Sequence, residues 1–319
     1  MDVEDLIKDH LGVDKNIEII QLAGDASTRC YYRVDNNGQS LIACWSEMPE
    51  GEETFRNFLG LQEIFKSHMV PVPEVLSFDI EKGIIIQQDL GGNSLNDLLL
   101  SDGPRKKYLE QAIDNLIMIH KIPVSQYQDK AFTKLKFDRA KFTFELNMTI
   151  EFFVEKHLGL SDRGTWSKSF EPLFERILDE DKMVLVHRDY HSKNIMVYED
   201  KQFIIDFQDA RLGYPQYDLS SFLEDCYYKF PSEIKEEMIS YYQKKMDIEK
   251  KNFRKDYDFS AVQRILKALG TFTMMKYKRG KDNYLPYIPY AVDNLKSICE
   301  KHKELNGLSR LLEELKIES

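Results

Sequence analysis

The reading turns on Val184-Leu185-Val186-His187-Arg188-Asp189-Tyr190-His191-Ser192-Lys193-Asn194, followed by Ile195-Met196-Val197 and then by Phe203-Ile204-Ile205-Asp206-Phe207. Each polar group follows a short apolar run of strand character. An Asp and an Asn five positions apart turn from one loop toward a common centre, and Asp206 follows a short hairpin later. Phosphoryl transfer asks for little covalent help. It needs a nucleophile held in line, a base that takes its proton late, and cations against the phosphate charge. The pattern therefore assigns Asp189 to the acceptor hydroxyl as base, and Asn194 and Asp206 to Mg2+. That hard cation keeps several waters and accepts one carboxylate, one amide oxygen and the phosphates of ATP as a sufficient set. Alone, His-Arg-Asp recurs by chance and a strand-ending Asp is often a turn residue. The order and spacing together carry the inference.

Upstream of this segment the pattern is first β and then helical. Ile17 to Leu22, Tyr31 to Val34 and Leu41 to Cys44 are β-prone runs separated by Gly24-Asp25 and Asn36-Asn37-Gly38 turn signals, which predicts three antiparallel strands. Glu52 to Ser67 sets Phe55, Phe58, Leu59, Ile64 and Phe65 mostly on one helical face, and Pro71 and Pro73 stop it. A further apolar run, Ile84 to Ile86, leads into Gln87-Gln88-Asp89-Leu90-Gly91-Gly92, where two glycines permit a change of direction. This is the candidate hinge. Beyond it, helical periodicity marks Leu109 to Ile119, Phe142 to His157, Ile234 to Lys245, Val262 to Tyr277 and Ala291 to Lys301, with one β-rich island from Met183 to Ile205. The expectation is an α+β chain of two lobes: residues 1–90 as a small antiparallel β lobe that binds nucleotide, and 91–319 as a larger, mainly helical lobe with the catalytic loop, metal site and acceptor pocket. The stretches 126–136 and 247–258 read as surface connections.

A chain of 319 residues with 42% hydrophobic content can bury a large core. Its formal net charge of −10 argues against a general footprint for nucleic acid or anionic membrane, and leaves small molecules as partners. The acidic first helix lacks the basic and apolar blocks of a signal peptide, and no apolar run reaches spanning length. Four scattered cysteines, Cys30, Cys44, Cys226 and Cys299, suit a reducing cytoplasm. Oligomeric state is not encoded in any pattern here.

HRDYHSKN together with IIDFQDARLGYPQYDLSSFLED resembles the aminoglycoside phosphotransferase and choline kinase superfamily, whose fold is protein-kinase-like. Within it, LAGDASTRCYYRV, DFQDA and FLEDCY resemble the cell-wall amino-sugar kinases that act on N-acetylmuramate and N-acetylglucosamine at the anomeric hydroxyl. The resemblance runs from about Leu22 to Tyr290. It implies Asp189 as base, Asn194 and Asp206 as magnesium ligands, Asp218 as a buried brace of the catalytic loop, and Glu145, Asp209 and Asp225 as acceptor-pocket carboxylates. His187 reads as a hydrogen-bonded brace.

The nucleotide loop is Ala23 to Arg29, with Gly24, Ser27, Thr28 and Arg29 as phosphate-side groups and the backbone of Gln88 and Leu90 facing adenine. A single glycine makes a weaker phosphate cradle than a glycine-rich loop. Leu41-Ile42-Ala43-Cys44-Trp45 carries no lysine, which departs from the general kinase pattern and leaves Arg29 or Arg33 to neutralise phosphate. Two other functions compete: a kinase of a cationic acceptor such as an aminoglycoside or choline, and a catalytically silent scaffold motivated by the missing lysine.

Overall fold

The computed structural model describes residues 2–13, 17–22, 29–36, 38–48, 51–128, 130–178, 183–248 and 252–315. Helix α1 (Val3–Leu11) ends at Gly12, whose φ of 64° sits in the left-handed region that glycine enters without a Cβ clash. Strands β1 (Glu18–Leu22), β2 (Cys30–Asn36) and β3 (Gln39–Trp45) form the expected antiparallel meander. The sheet extends further, to β4 (Val75–Asp79) and β5 (Ile84–Gln88), in the order β1-β2-β3-β5-β4. β4 escaped the sequence reading because it is an edge strand with Leu76 and Phe78 half exposed, so its alternation carries no buried apolar face.

Helix α2 (Glu52–Ser67) buries Phe55, Phe58, Leu61, Ile64 and Phe65 as its periodicity requires. Phe58 stacks on Phe207 at 4.9 Å and Phe65 tilts against the same ring at 5.2 Å, so α2 packs onto the residue next to Asp206. One continuous apolar core runs from Cys44 and α2 through Leu109, Tyr190 and Phe207 to Tyr242 and Tyr257. The sheet and the helical part are thus joined by shared packing.

The helical part comprises α3 (Leu95–Asp102), α4 (Lys106–His120), α5 (Arg139–Thr149), α6 (Thr165–Ser169), α7 (Glu171–Ile177), α8 (Pro215–Leu223), α9 (Ser232–Met246), α10 (Phe253–Arg279), α11 (Ile288–Cys299) and α12 (Asn306–Glu313). Two small antiparallel ribbons interrupt it: β6 (Val184–Val186) with β9 (Arg211–Gly213), and β7 (Ile195–Tyr198) with β8 (Lys201–Ile204). This is the protein-kinase-like α+β architecture that the sequence predicts. α10 runs for 27 residues against α5, α7, α8 and α11, and is buried around much of its girth. The expected surface connection at 247–258 is corrected here. Its second half opens α10, with Phe253, Tyr257 and Asp258 buried, and its charges include an Arg254–Asp258 pair along the helix at 3.1 Å.

At Gly270 the backbones of α10 and α5 touch: a Cβ there would meet Thr149 Oγ1 at 2.7 Å and Thr149 Cα at 2.8 Å. Thr149 Oγ1 donates to the Leu266 carbonyl at 2.8 Å, and the chain after Thr149 widens into a π-helical stretch, Ile150–His157. Glu145 on α5 and Lys267 on α10 are brought side by side by this contact. All four cysteines are free thiols. Among the described residues no helix is long and apolar enough to cross a membrane.

Candidate active site

The loop between β6 and β7 is held by its backbone. Asp218, fully buried on the first turn of α8, accepts the His187 N–H at 2.5 Å and the Arg188 N–H at 2.9 Å. Arg188 has φ 82°, a conformation costly for a side chain with a Cβ, and the Asp218 contact pins it there. The His187 ring donates from Nε2 to the Ile205 carbonyl at 2.9 Å and accepts the Asp189 N–H on Nδ1 at 3.3 Å, which a neutral ring protonated on Nε2 satisfies. Behind the loop, Asp225 accepts the Ser192 N–H at 2.9 Å, the Ser192 hydroxyl at 2.5 Å and the Tyr227 N–H at 2.8 Å. Burial pushes its carboxyl up.

The loop opens on a cleft of about 810 Å³ between the sheet and the helical part. Asp189, Asn194 and Asp206 all line it, so the three residues singled out in the sequence converge. Asn194 donates from Nδ2 to the Asp189 carbonyl at 3.0 Å, which leaves its Oδ1 as the acceptor atom. Asp206, at φ 63°, keeps a half-exposed carboxylate that accepts from Gln208 Nε2 at 2.8 Å and Arg29 Nη2 at 3.2 Å. One carboxylate and one amide oxygen are donors of the kind a hard divalent cation takes with phosphate and water.

Around Asp189 stand three cations. Lys267 Nζ donates to Oδ1 at 2.8 Å, Arg264 Nη2 lies 3.7 Å from the same oxygen, and Arg188 Nε lies 4.0 Å from Oδ2. Burial would push the Asp189 carboxyl up, but Lys267, Arg188 and Arg264 more than offset it and hold the group well below the ordinary carboxylate range. Lys267 itself is pushed down to about 8 by burial, assisted by Arg188 and Arg264 against the pull of Asp189 and Glu145.

Of the expected acceptor carboxylates, the structure brings two to the cleft. Glu145 lies there although only 2% exposed, held by Gln263 Nε2 at 3.0 Å, Arg188 Nη2 at 3.4 Å and Lys141 Nζ at 3.6 Å. Asp209, about half exposed, pairs with Arg188 Nη1 at 2.9 Å. Asp225 is corrected: it faces the back of the catalytic loop, and its hydrogen bonds run to Ser192 and Tyr227 rather than into the cleft. Gly24, Ser27 and Thr28 lie outside the described residues. Arg29 is buried at the mouth of β2 and reaches Asp206. Arg33 instead forms a fork on Asp89, Nε to Oδ2 at 2.7 Å and Nη2 to Oδ1 at 3.1 Å. Gln88 and Leu90 line the cleft on either side of Asp89.

The sequence reading missed Lys141, Lys193, Arg264 and Lys267. For the last two a signal existed: two cations three residues apart inside the apolar run Val262 to Leu269, where charges are seldom buried without partners.

The comparisons with known proteins agree with this geometry. The family model described as the phosphotransferase enzyme family (APH) matches residues 18–251. The chain is 29% identical over 316 residues to the N-acetylmuramate/N-acetylglucosamine kinase of Neisseria meningitidis serogroup B, covering 95% of this chain and 92% of that one. It is likewise 29% identical over 309 residues to the kinase of the same name from Pseudomonas aeruginosa, covering 93% and 88%. Choline kinase LicA from Streptococcus pneumoniae shares the fold with a TM-score of 0.64 at 18% identity, covering 92% of this chain and 99% of that one. The chain belongs to the phosphotransferase enzyme family and acts on a hydroxyl acceptor.

Proposed function

We propose that this phosphotransferase transfers the γ-phosphoryl group of ATP, with Mg2+, to the anomeric hydroxyl of N-acetylmuramate, N-acetylglucosamine or both, giving the 1-phosphate in the cytoplasm. The observation that carries the reading is the set of cations around Asp189, Lys267 at 2.8 Å, Arg264 at 3.7 Å and Arg188 at 4.0 Å. A carboxylate held far below its ordinary range by three cations is a weak base, so it accepts a proton late and suits an acceptor more acidic than a simple alcohol. The anomeric hydroxyl of a sugar is such an acceptor.

Asp189 orients that hydroxyl and takes its proton as the phosphoryl group arrives. Asn194 Oδ1 and the Asp206 carboxylate would hold the cation, which when bound would neutralise phosphate charge. Arg29 supplies the positive charge that the third strand lacks, and Arg33 keeps its fork on Asp89 and stiffens the hinge. The residues 1–90 carry the nucleotide and 91–319 the acceptor. Glu145 and Asp209 serve the acceptor pocket mainly by fixing Arg188, with Asp209 also open to sugar hydroxyls.

Charge weighs against a cationic acceptor. On the acceptor side of the cleft Lys141, Arg188, Lys193, Arg264 and Lys267 face Glu145, Asp189 and Asp209, a surplus of two positive charges in a chain of net charge −10. A quaternary amine or an aminoglycoside would enter against that surplus. The deciding experiment is a screen of amino sugars, hexoses, aminoglycosides and choline read by ADP release. Turnover of an amino sugar to an alkali-stable, acid-labile phosphate is expected. Turnover of aminoglycosides or choline without any sugar would overturn the reading.

A further inference from the structure

The cations that line the cleft are almost all spoken for. Arg29 stands 3.2 Å from Asp206, Arg33 2.7 Å from Asp89, Lys141 3.6 Å from Glu145, Arg188 2.9 Å from Asp209, Arg264 3.7 Å from Asp189 and Lys267 2.8 Å from Asp189. Lys193 differs. Among the described residues it has no carboxylate within ion-pair distance, and its ammonium rests over the faces of Tyr227 at 4.0 Å and Tyr287 at 5.2 Å. Aromatic faces hold an ammonium in place while leaving its unit charge available to a further anion. The other cleft cations each answer a fixed carboxylate of the chain; this one is mounted without such a partner.

Its position bears on what that anion is. Lys193 directly precedes Asn194, so its backbone is fixed with the catalytic loop, but its side chain leans toward the acceptor side. Tyr227, beneath it, packs on Phe272 at 5.8 Å and on His191 at 5.2 Å. Phe272 and Lys267 both line the cleft from α10. They stand five positions apart, a rise of about 7.5 Å along a helix axis. Lys267 marks the end of the pocket where Asp189 meets the reacting hydroxyl, and Phe272 marks the end where Lys193 sits. One monosaccharide ring with a substituent bridges that span.

We propose that Lys193, seated on Tyr227 and Tyr287, is the receptor for a carboxylate borne by the acceptor away from its anomeric hydroxyl, and so favours an acidic amino sugar over its neutral counterpart. The proposal rests on the amino-sugar reading above. N-acetylmuramate is N-acetylglucosamine with a lactic acid ether, so the two sugars differ by the group that Lys193 would meet.

The test measures kcat/KM of the full chain on both sugars for the wild type, Lys193→Met and Lys193→Arg. The ratio of the acidic to the neutral sugar is expected to fall about 10- to 100-fold in the methionine variant, the loss of one charge-assisted hydrogen bond, and to recover in the arginine variant. Lys193 is partly exposed, and turnover of the neutral sugar in the same preparation reports folding. A ratio that stays at the wild-type value overturns the proposal, whether both activities hold or both fall together as they would if Lys193 served the nucleotide phosphates. That outcome leaves the amino-sugar reading standing. A wild type that phosphorylates neither sugar overturns the reading and the proposal with it.

Discussion

Replacing Lys267 by methionine isolates one of the three cations around Asp189. At the observed 2.8 Å, two unit charges attract by about 6 kcal/mol at an effective dielectric of about 20. Most of that is offset by the cost of taking the ammonium out of water, and bonds of this kind contribute about 1.5–3 kcal/mol net. At about 1.4 kcal/mol per factor of ten, kcat/KM for the acceptor is expected to fall about 10- to 100-fold. Lys267 on α10 is committed to Asp189 and makes no hydrogen bond or ion pair with Gln88 to Leu90 among the described residues, so KM for ATP is expected to stay close to the wild type. Methionine fills most of the same volume and removes a buried charge, and Arg264 and Arg188 remain to face Asp189. Removing one partner of a buried pair is destabilising, so the thermal midpoint is expected to fall by a few degrees, and an unchanged KM for ATP is what separates a catalytic loss from unfolding. Steady-state kinetics by coupled ADP release, with a melting curve on the same sample, checks the set. Undiminished kcat/KM, or a loss confined to KM for ATP, would refute the reasoning.

Arg29→Ala is expected to raise KM for MgATP by about 10- to 100-fold, the scale of one charge-assisted contact, whereas Arg33→Ala is expected to lower the melting temperature more than it shifts KM. Equal effects on KM would remove the distinction drawn between a guanidinium on Asp206 and one on Asp89. Gly270→Ala drives a Cβ into the Thr149 backbone and is expected to cost about 1–3 kcal/mol, read as a drop of several degrees in a melting curve; an unshifted midpoint would mean that the helices part freely there. Lys267 is protonated below about 8 and loses its charge as the pH rises through that value, so kcat is expected to fall on the alkaline side. Lys267→Arg, charged throughout the working range, should remove that limb from the pH profile, and an unmoved limb would assign it to another group.

How much of this was legible depended on distance along the chain. Asp189, Asn194 and Asp206 fall within one short segment, so their spacing and the strand ends before them announced their convergence. The helices with a clean apolar stripe, α2 and α4, were equally plain. Lys267 was not, because it reaches Asp189 from 78 residues away on a helix whose periodicity reads simply as core. Asp225 shows the opposite failure: its place in a motif was visible, but the direction of its side chain depended on Ser192 and Tyr227 and could not be read from the motif. β4 hid because an edge strand need not bury its side chains. The question of Arg29 against Arg33 was posed by the missing lysine, and the sequence could not supply their partners, Asp206 for Arg29 and Asp89 for Arg33.

The catalytic loop is strung by its amides. Asp218 grips the N–H groups of His187 and Arg188, and Asp225 grips that of Ser192 along with its hydroxyl, so most of these ties bind an atom that nearly every amino acid possesses. A side chain that takes no part in those ties, such as Lys193, can be exchanged without dismantling the loop's shape. On the proposed reading, the residue at position 193 can change and shift the choice of acceptor while Asp189, Asn194 and Asp206 stay where they are.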